Sequence, residues 1–146
     1  MIEIIIGKEF TKKVIPLIDA AKVSLKIVVF EWRWYPNDPG CAAQLFNQAV
    51  IRAKKRGVKV QVVTNLNEGA RMLREQGCEV KKLLSTNLMH VKLMIIDDGD
   101  CIIGSHNYTQ NAFTINYEVS VILKENIATG DEKKRLLEFF NFLIAQ

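Results

Sequence analysis

Residues 90–107 read HVKLMIIDDGDCIIGSHN, and this stretch decides how the neighbouring strands must be arranged. Because side chains alternate between the two faces of a β-strand, His90 and Lys92 leave the same face of the apolar run that they begin. The acidic, glycine-containing turn at 97–100 predicts a tight hairpin, and 101–103 predicts the returning strand. The hairpin then brings four residues beside that pair: Gly104, Ser105, His106 and Asn107.

These side chains combine an imidazole, an ammonium, a hydroxyl and a carboxamide, a set that suits phosphoryl transfer. Such a reaction requires a nucleophile, an acid for the leaving group and fixed donors around the phosphate oxygens. We expect His90 to be the nucleophile, and Lys92, Asn107 and Ser105 to hold the phosphoryl oxygens. The alternative for a lone histidine in an apolar strand is a hydrogen-bonded core residue. Lys92 on the same face argues against it, because lysine is almost never fully buried without a partner.

The segment resembles the catalytic signature of the phospholipase D superfamily, His-x-Lys-x4-Asp followed after six residues by Gly-Ser-x-Asn. Every fixed position of that signature is filled, with Asp97 as its acid. The resemblance implies a phospholipase D-like fold and phosphodiester hydrolysis through a phosphohistidine. It also implies a dimer, since the smallest members of that superfamily carry one copy of the signature and pair about a two-fold axis.

Three residues of the signature leave two interpretations open. Asp97, at the end of a strand, fits a turn acid as well as a catalytic acid. Gly104 fits a plain turn, but glycine also lets the backbone approach a phosphate closely, so it is a substrate-binding candidate. His106 fills the variable position, where we expect a residue that lines the substrate site or the surface rather than a second catalyst.

The segment 116–123 predicts another strand of the same sheet and carries one carboxylate, Glu118, in a largely apolar run. A neutral imidazole attacks through one nitrogen only while the other holds the proton, and a carboxylate that accepts this N–H fixes the tautomer. The enzymes that this chain resembles carry such a glutamate after Gly-Ser-x-Asn, which implies that Glu118 orients His90. The alternative is an edge-strand charge that deters aggregation.

The rest of the chain alternates strands with helices and predicts one α/β domain over residues 1–146, a mixed β-sheet sandwiched between helices. The chain is 49% hydrophobic and 25% charged, a composition that can bury a core without disulfides or metals. Asp38 and Pro39 are expected to be the N-cap and first residue of the second helix. The remaining predicted strands cover 2–6, 24–32, 58–64 and 79–84, and the helices cover 11–22, 38–56, 68–76 and 131–145.

Neither a metal nor another cofactor is expected. The three cysteines are widely spaced and the chain has two histidines, so it lacks both a disulfide framework and zinc-ligand spacing. It also lacks an apolar run of about 18 residues and a secretory start. We therefore expect no membrane anchor and a cytoplasmic protein.

One signature per chain predicts a homodimer. In-line displacement at phosphorus puts the attacking and leaving groups on opposite sides, so one histidine does not serve easily as both nucleophile and first general acid. An isologous two-fold contact would supply the second imidazole from the His90 of another copy.

The charge of the chain favours a polyanionic substrate. A formal net charge of +4 and a pI near 9.0 suit DNA or RNA, although any single basic cluster also fits a solvated helix face. Trp32 and Trp34 would stack on single-stranded bases, with Arg33 on a backbone phosphate. The tryptophans equally fit anchors of the dimer interface.

The sequence therefore predicts a metal-independent homodimeric phosphodiesterase, most simply a nonspecific endonuclease. One alternative is a phosphodiesterase of anionic phospholipids, although the chain lacks a strongly basic amphipathic helix for a membrane surface. The other alternative is a noncatalytic nucleic-acid-binding module, which the intact catalytic positions disfavour.

Overall fold

A computed structural model describes residues 2–65, 67–83, 86–124 and 130–146. The strands are β1 (Ile2–Ile6), β2 (Ser24–Val29), β3 (Lys59–Thr64), β4 (Glu79–Lys82), β5 (Lys92–Ile96), β6 (Asp100–Gly104) and β7 (Val119–Leu123). The helices are α1 (Glu9–Ala20), α2 (Ala42–Lys55), α3 (Asn67–Glu75), α4 (Gln110–Thr114) and α5 (Gly130–Ile144).

These strands form one sheet in the order β1-β7-β6-β5-β2-β3-β4. The strands β2, β3 and β4 run parallel, whereas β2-β5, β5-β6, β6-β7 and β7-β1 are antiparallel pairs. Helices pack on both faces, so the prediction of an α/β fold with a mixed sheet between helices is confirmed. The strand β5 lies at the centre of this sheet, and both of its neighbours run antiparallel to it.

Alternate side chains of β5 enter two separate cores. Met94 and Ile96 are buried in the larger core, which α1, α2 and α4 cover. Leu93 and Ile95 are buried in the smaller core on the other face, against α5. Because both faces of β5 are covered along its length, polar chemistry is accessible only where the strand begins or ends. His90, two residues before the first residue of β5, is exposed there.

The predicted hairpin between β5 and β6 is confirmed. Asp97 and Asp98 both have positive φ, +53° and +51°, and the Gly99 N–H donates to the Ile96 carbonyl at 2.8 Å. Two central residues in the left-handed region define a type I′ turn, whose twist matches that of the flanking strands. Aspartate is among the few residues that tolerate this conformation, which explains the acidic pair at the tip.

Several boundaries differ from the prediction, and at two of them the chain turns where a regular element was expected. The helix α2 begins at Ala42 and not at Asp38, whose carbonyl instead accepts the Cys41 N–H at 3.2 Å in the preceding turn. The strand β2 ends at Val29, three residues before Trp32. The expected N-cap and first-residue roles at positions 38 and 39 are therefore wrong.

The short helix α4 was not predicted. It begins after Thr109, whose Oγ1 accepts the Ala112 N–H at 3.1 Å and caps the helix. The predicted strand 79–84 ends at Lys82, and Leu84 lies outside the described residues. Among the helices described, none combines the length and the apolar composition that crossing a membrane requires.

Candidate active site

His90 and Lys92 lie together at the beginning of β5, on one face as the alternation predicts. The Lys92 Nζ is 3.2 Å from Nδ1 and 3.3 Å from Nε2 of the His90 ring, and it also donates to the His90 carbonyl at 3.2 Å. The Phe30 ring, just beyond the end of β2, packs against the imidazole with centroids 4.9 Å apart. The imidazole is thus held between an aromatic ring and an ammonium while it faces solvent.

The ammonium of Lys92 is half-buried, and its surroundings alter its acidity. Burial lowers the pKa of Lys92, while the nearby carboxylate of Glu118 opposes that shift. The Nζ also lies 5.8 Å from the centroid of the Phe30 ring. A desolvated cation of this kind interacts more strongly with a phosphate oxygen than a fully hydrated one does.

Glu118 is held in place by two polar side chains. The Ser105 hydroxyl donates to its Oε1 at 2.5 Å, and the Asn116 Nδ2 donates to its Oε2 at 3.1 Å. The Ser105 Oγ in turn accepts the Val119 N–H at 3.0 Å. A hydroxyl has one hydrogen to donate, so Ser105 in this arrangement positions Glu118 and does not donate to a phosphate.

The predicted contact between Glu118 and His90 is not formed in the part of the chain that the structure describes. The Glu118 carboxylate instead acts on Lys92, because burial lowers the pKa of that lysine and the negative charge of Glu118 opposes this shift. Glu118 itself directly precedes β7, and its alternative interpretation as a charge within an edge strand also fails, because β7 lies between β1 and β6.

Asn107 is fixed by its own oxygen. Its Oδ1 accepts the Glu31 N–H at 3.2 Å, which leaves the Nδ2 end of the amide as a hydrogen-bond donor. Backbone hydrogen bonds also join the segments on either side of this contact. The Tyr108 N–H donates to the Glu31 carbonyl, and the Arg33 N–H donates to the Tyr108 carbonyl. The amide is therefore held at the same end of the sheet as His90 and Lys92.

This arrangement has known relatives. The model of the family described as "Cardiolipin synthase, PLD-like domain" matches residues 14–141. The chain belongs to the phospholipase D superfamily. The prediction of an enzyme of this superfamily is confirmed at the level of the family.

Curated relatives of this phospholipase D-like chain are longer than the chain itself. A probable phospholipase D of Caenorhabditis elegans is 30% identical over 125 residues, which cover 76% of this chain and 23% of that protein. The human mitochondrial cardiolipin hydrolase is 30% identical over 146 residues, which cover 92% of this chain and 54% of that protein. The chain thus spans about a quarter to about a half of these relatives.

Two solved structures match nearly the whole fold. Nuc, a phospholipase D family member from Salmonella typhimurium, has a TM-score of 0.80 at 22% identity, with 100% of this chain and 96% of Nuc covered. NucT from Helicobacter pylori has a TM-score of 0.76 at 20% identity, with 99% and 96% covered. At these identities the likeness concerns the fold.

Asp97 of the phospholipase D-like signature is structural. Its carboxylate accepts the N–H groups of Lys22, Val23 and Ser24 at 3.0, 2.7 and 2.9 Å, which ties the hairpin tip to the beginning of β2. Burial raises the pKa of Asp97, but these backbone donors outweigh it and the pKa is lowered. The residue lies about 16 Å along β5 from Lys92, at ~3.3 Å per residue, so of the two interpretations this distance and these contacts favour the turn acid.

His106 is buried, and the expectation that it lines the substrate site or the surface is wrong. Its Nδ1 lies 2.8 Å from the Ser120 Oγ, and its Nε2 lies 2.8 Å from the Gly7 carbonyl. The ring packs on Phe10 with centroids 4.6 Å apart. Burial lowers the pKa of His106, and because a carbonyl only accepts, the neutral ring donates from Nε2. This histidine links β7 to the turn that directly follows β1.

Gly104 has a packing reason for being glycine. A Cβ at this position would collide with the Cα, Cβ and Oγ of Ser120 on β7. The residue pairs with Ser120 in the sheet, and the absence of a side chain lets the two strands approach next to Ser105. A contact of the exposed Gly104 backbone with phosphate stays a prediction.

The two tryptophans are core residues, which is contrary to both interpretations made from the sequence. Trp32 is 1% exposed and Trp34 is 7% exposed. The Trp32 Nε1 donates to the Asn47 Oδ1 at 2.6 Å, so its polar atom is satisfied inside the protein. Neither ring is available to stack on a base or to anchor a partner. Arg33, between them, is exposed and pairs with Glu31 at 2.8 Å.

Apart from Arg33, sequence reasoning missed the polar residues around Asn107. A cavity of about 500 Å³ there is lined by Glu31, Arg33, Tyr35, Asn107, Thr109, Gln110, Asn111 and Asn116. The period-two pattern of Glu-Trp-Arg-Trp-Tyr at 31–35 would have indicated it, because its odd positions must share a face. Within the described ranges, no cluster of three His, Cys, Asp or Glu side chains is placed to bind a metal ion.

Proposed function

We propose that this chain is a metal-independent phosphodiesterase, specifically an endonuclease of low sequence preference, that acts as a homodimer. The observation that carries the proposal is the exposed imidazole of His90, held against Lys92 at the sheet end where Asn107 presents its amide. That set supplies a nucleophile and two donors for phosphoryl oxygens. Residence in the cytoplasm stays a prediction.

In the proposed cycle, a nitrogen of His90 attacks the phosphorus of a phosphodiester and the bond to the leaving oxygen breaks. His90 of the second copy protonates that oxygen and then accepts a proton from the water that hydrolyses the phosphohistidine. Lys92 and the Asn107 Nδ2 donate to the phosphoryl oxygens throughout. Glu118, which Ser105 holds in place, stabilises the positive charge of Lys92.

An uncovered apolar strip beside the site supports the dimer. Ile2, Ile4 and Ile6 of β1 are 53%, 49% and 63% exposed, and Val119, which pairs with Ile6, is 54% exposed. Contiguous exposed apolar surface of this kind marks interaction sites. Val119 directly follows Glu118, so a two-fold contact on this strip would bring two catalytic ends together and bury the isoleucines.

Charge supports a nucleic acid as the substrate. Each chain contributes a net charge of +4, so that a dimer carries +8, and DNA or RNA affinity derives largely from neutralised phosphates. Arg33, 55% exposed in its side chain, is the candidate for a backbone phosphate near the site. Base stacking by the tryptophans has no place in this proposal.

A second candidate is a phosphodiesterase of anionic phospholipids. An apolar groove of about 460 Å³ reaches His90 from the α5 side, with Lys81 and Lys82 on its rim and exposed Leu88 and Phe142 in its wall. An acyl chain beside a phosphate fits that combination. The relative from human is a cardiolipin hydrolase, and the chain covers 54% of it.

One experiment separates these candidates and a noncatalytic binding module. The purified chain is incubated in EDTA with single- and double-stranded DNA, RNA and anionic liposomes. We expect the wild-type chain to cleave nucleic acid and His90→Ala to abolish this cleavage. Lys12 is an exposed lysine on α1, and the control variant Lys12→Ala should retain the activity. Cleavage of liposomes alone would favour the lipid candidate, binding without cleavage would favour the module, and activity restored only by magnesium would overturn the mechanism.

A further inference from the structure

The segment 31–35 continues beyond β2 as extended chain whose side chains alternate between core and cavity. Trp32 and Trp34 are buried, whereas Glu31, Arg33 and Tyr35 line the polar cavity of about 500 Å³ beside Asn107. The two indoles therefore act as anchors that present the odd-numbered side chains. The cavity has no role in the chemical steps described above, although it shares Asn107 with them and Arg33 with the proposed contact to a backbone phosphate.

The walls of this cavity are rigidly connected. The Trp32 backbone forms a parallel bridge with Tyr108, and the Gln110 N–H donates to the Tyr35 hydroxyl at 2.8 Å. The Gln110 Oε1 also accepts the Ala43 N–H at 2.9 Å, which ties the opposite wall to α2. A pocket built in this way is preformed and loses little entropy when a ligand binds.

The lining offers hydrogen bonds of both kinds. The Arg33 Nε donates to the Glu31 Oε2 at 2.9 Å, and the Arg33 Nη2 pairs with the same oxygen at 2.8 Å. This ion pair partly offsets the charges and leaves further guanidinium N–H groups for a ligand. Burial raises the pKa of Tyr35, so that its phenol stays an O–H donor. Asn111 and Asn116 add carboxamides to the same cavity.

We propose that this cavity binds the nucleoside attached to the scissile phosphate. Asn107 borders both the phosphate position and the cavity, so a ligand group here is covalently close to the reacting phosphorus. A volume of about 500 Å³ suits a group of nucleoside size, and the mixed donors and acceptors suit sugar hydroxyls and base edges. An acyl chain here would leave these polar groups without partners. The inference rests on the proposed nuclease function, because it names the subsite that would select a substrate containing a nucleoside.

Two chromogenic diesters test the assignment, because both release p-nitrophenolate and only one carries a nucleoside. The substrates are the p-nitrophenyl ester of thymidine 5′-monophosphate and bis(p-nitrophenyl) phosphate. We expect wild type to favour the nucleoside ester in kcat/KM, and Arg33→Gln and Asn111→Ala each to reduce that preference about tenfold, mainly through KM. Arg71→Gln, an exposed arginine paired with Glu75 on α3, is the matched control and should retain the preference.

A preference that is absent in wild type, or unchanged in both variants, overturns the inference. Hydrolysis of both esters that depends on His90 would then leave the phosphodiesterase proposal standing. If neither ester is hydrolysed, the subsite is tested by binding instead. The dissociation constant of thymidine 5′-monophosphate from the His90→Ala chain is then measured by calorimetry. A dissociation constant that Arg33→Gln raises about tenfold supports the subsite, and one that it leaves unchanged removes it.

Discussion

Asp97→Ala separates a structural from a catalytic role for the acid of the signature. The substitution removes a carboxylate that accepts three backbone N–H groups, from Lys22, Val23 and Ser24. Asp98→Ala is the matched control, because its φ of +51° nearly equals the +53° of Asp97 and alanine is equally strained at both positions. Asp98 makes a single ion pair, with Lys26 at 2.6 Å.

The expected magnitude follows from those bonds. Partly exposed bonds to a charged acceptor contribute about 1 kcal/mol each, so Asp97→Ala should lose about 3 kcal/mol besides the strain. The single ion pair of Asp98, with its carboxylate half-exposed, contributes about 1 kcal/mol. The two variants should therefore differ by about 2 kcal/mol in the free energy of unfolding, or by roughly 4 to 8 °C in Tm for a chain of this length.

Urea unfolding and calorimetry measure the difference, and phosphodiesterase turnover is then measured well below each Tm. We expect Asp97→Ala to retain near wild-type kcat once folded, because the carboxylate lies at the far end of β5 from His90. Equal stability of the two variants would refute the bonding argument. A fully folded Asp97→Ala chain with kcat reduced more than about a hundredfold would restore the acid to the catalytic set.

Three further predictions concern pH, the phosphate donors and the dimer. Although burial raises the pKa of Asp97, its N–H donors lower it overall, so the stability advantage over Asp97→Ala should be complete above the unfolded value of 3.8 and disappear as the pH falls through the folded pKa. Urea unfolding across acidic pH checks this, and an advantage that persists at the lowest pH contradicts it. Lys92→Ala and Asn107→Ala should each lower kcat by ~10²- to 10³-fold with much smaller changes in affinity, measured by steady-state kinetics with Lys12→Ala as control. A change in affinity alone would mean that the contact binds the ground state and the transition state equally. A heterodimer of wild-type and His90→Ala chains, isolated with two affinity tags, should turn over far below half of the wild-type rate if the site is shared. Half the rate would mean that each subunit acts alone.

Much of the site was predictable, because it depends on neighbours along the chain. Strand alternation indicated that His90 and Lys92 share a face, and their contact at 3.2 Å agrees. The acidic turn indicated the hairpin that carries Asn107 back to the same end of the sheet. Turn chemistry and period-two alternation are local, so neither requires knowledge of what packs on the strand.

Other assignments failed where the deciding partner is distant in sequence. The pattern at 31–35 indicates that Trp32 and Trp34 share a face, but not that this face meets Asn47 and the larger core. The polar partner of the buried Trp32 indole lies on α2, so it cannot be identified before α2 is packed against residues 31–35. The same holds for His106, whose partner Gly7 is 99 residues away.

By itself, the sequence determined the α/β class, the hairpin and the set of groups available for phosphoryl transfer, since periodicity, turn residues and the signature are all local. Only the tertiary structure decided which partner each of these side chains binds. Ser105 meets Glu118 across 13 residues, and Asp97 meets the beginning of β2 across as many as 75. Hydrogen bonds of this range depend on which strands become neighbours, and burial of the two cores on the faces of β5 selects those neighbours.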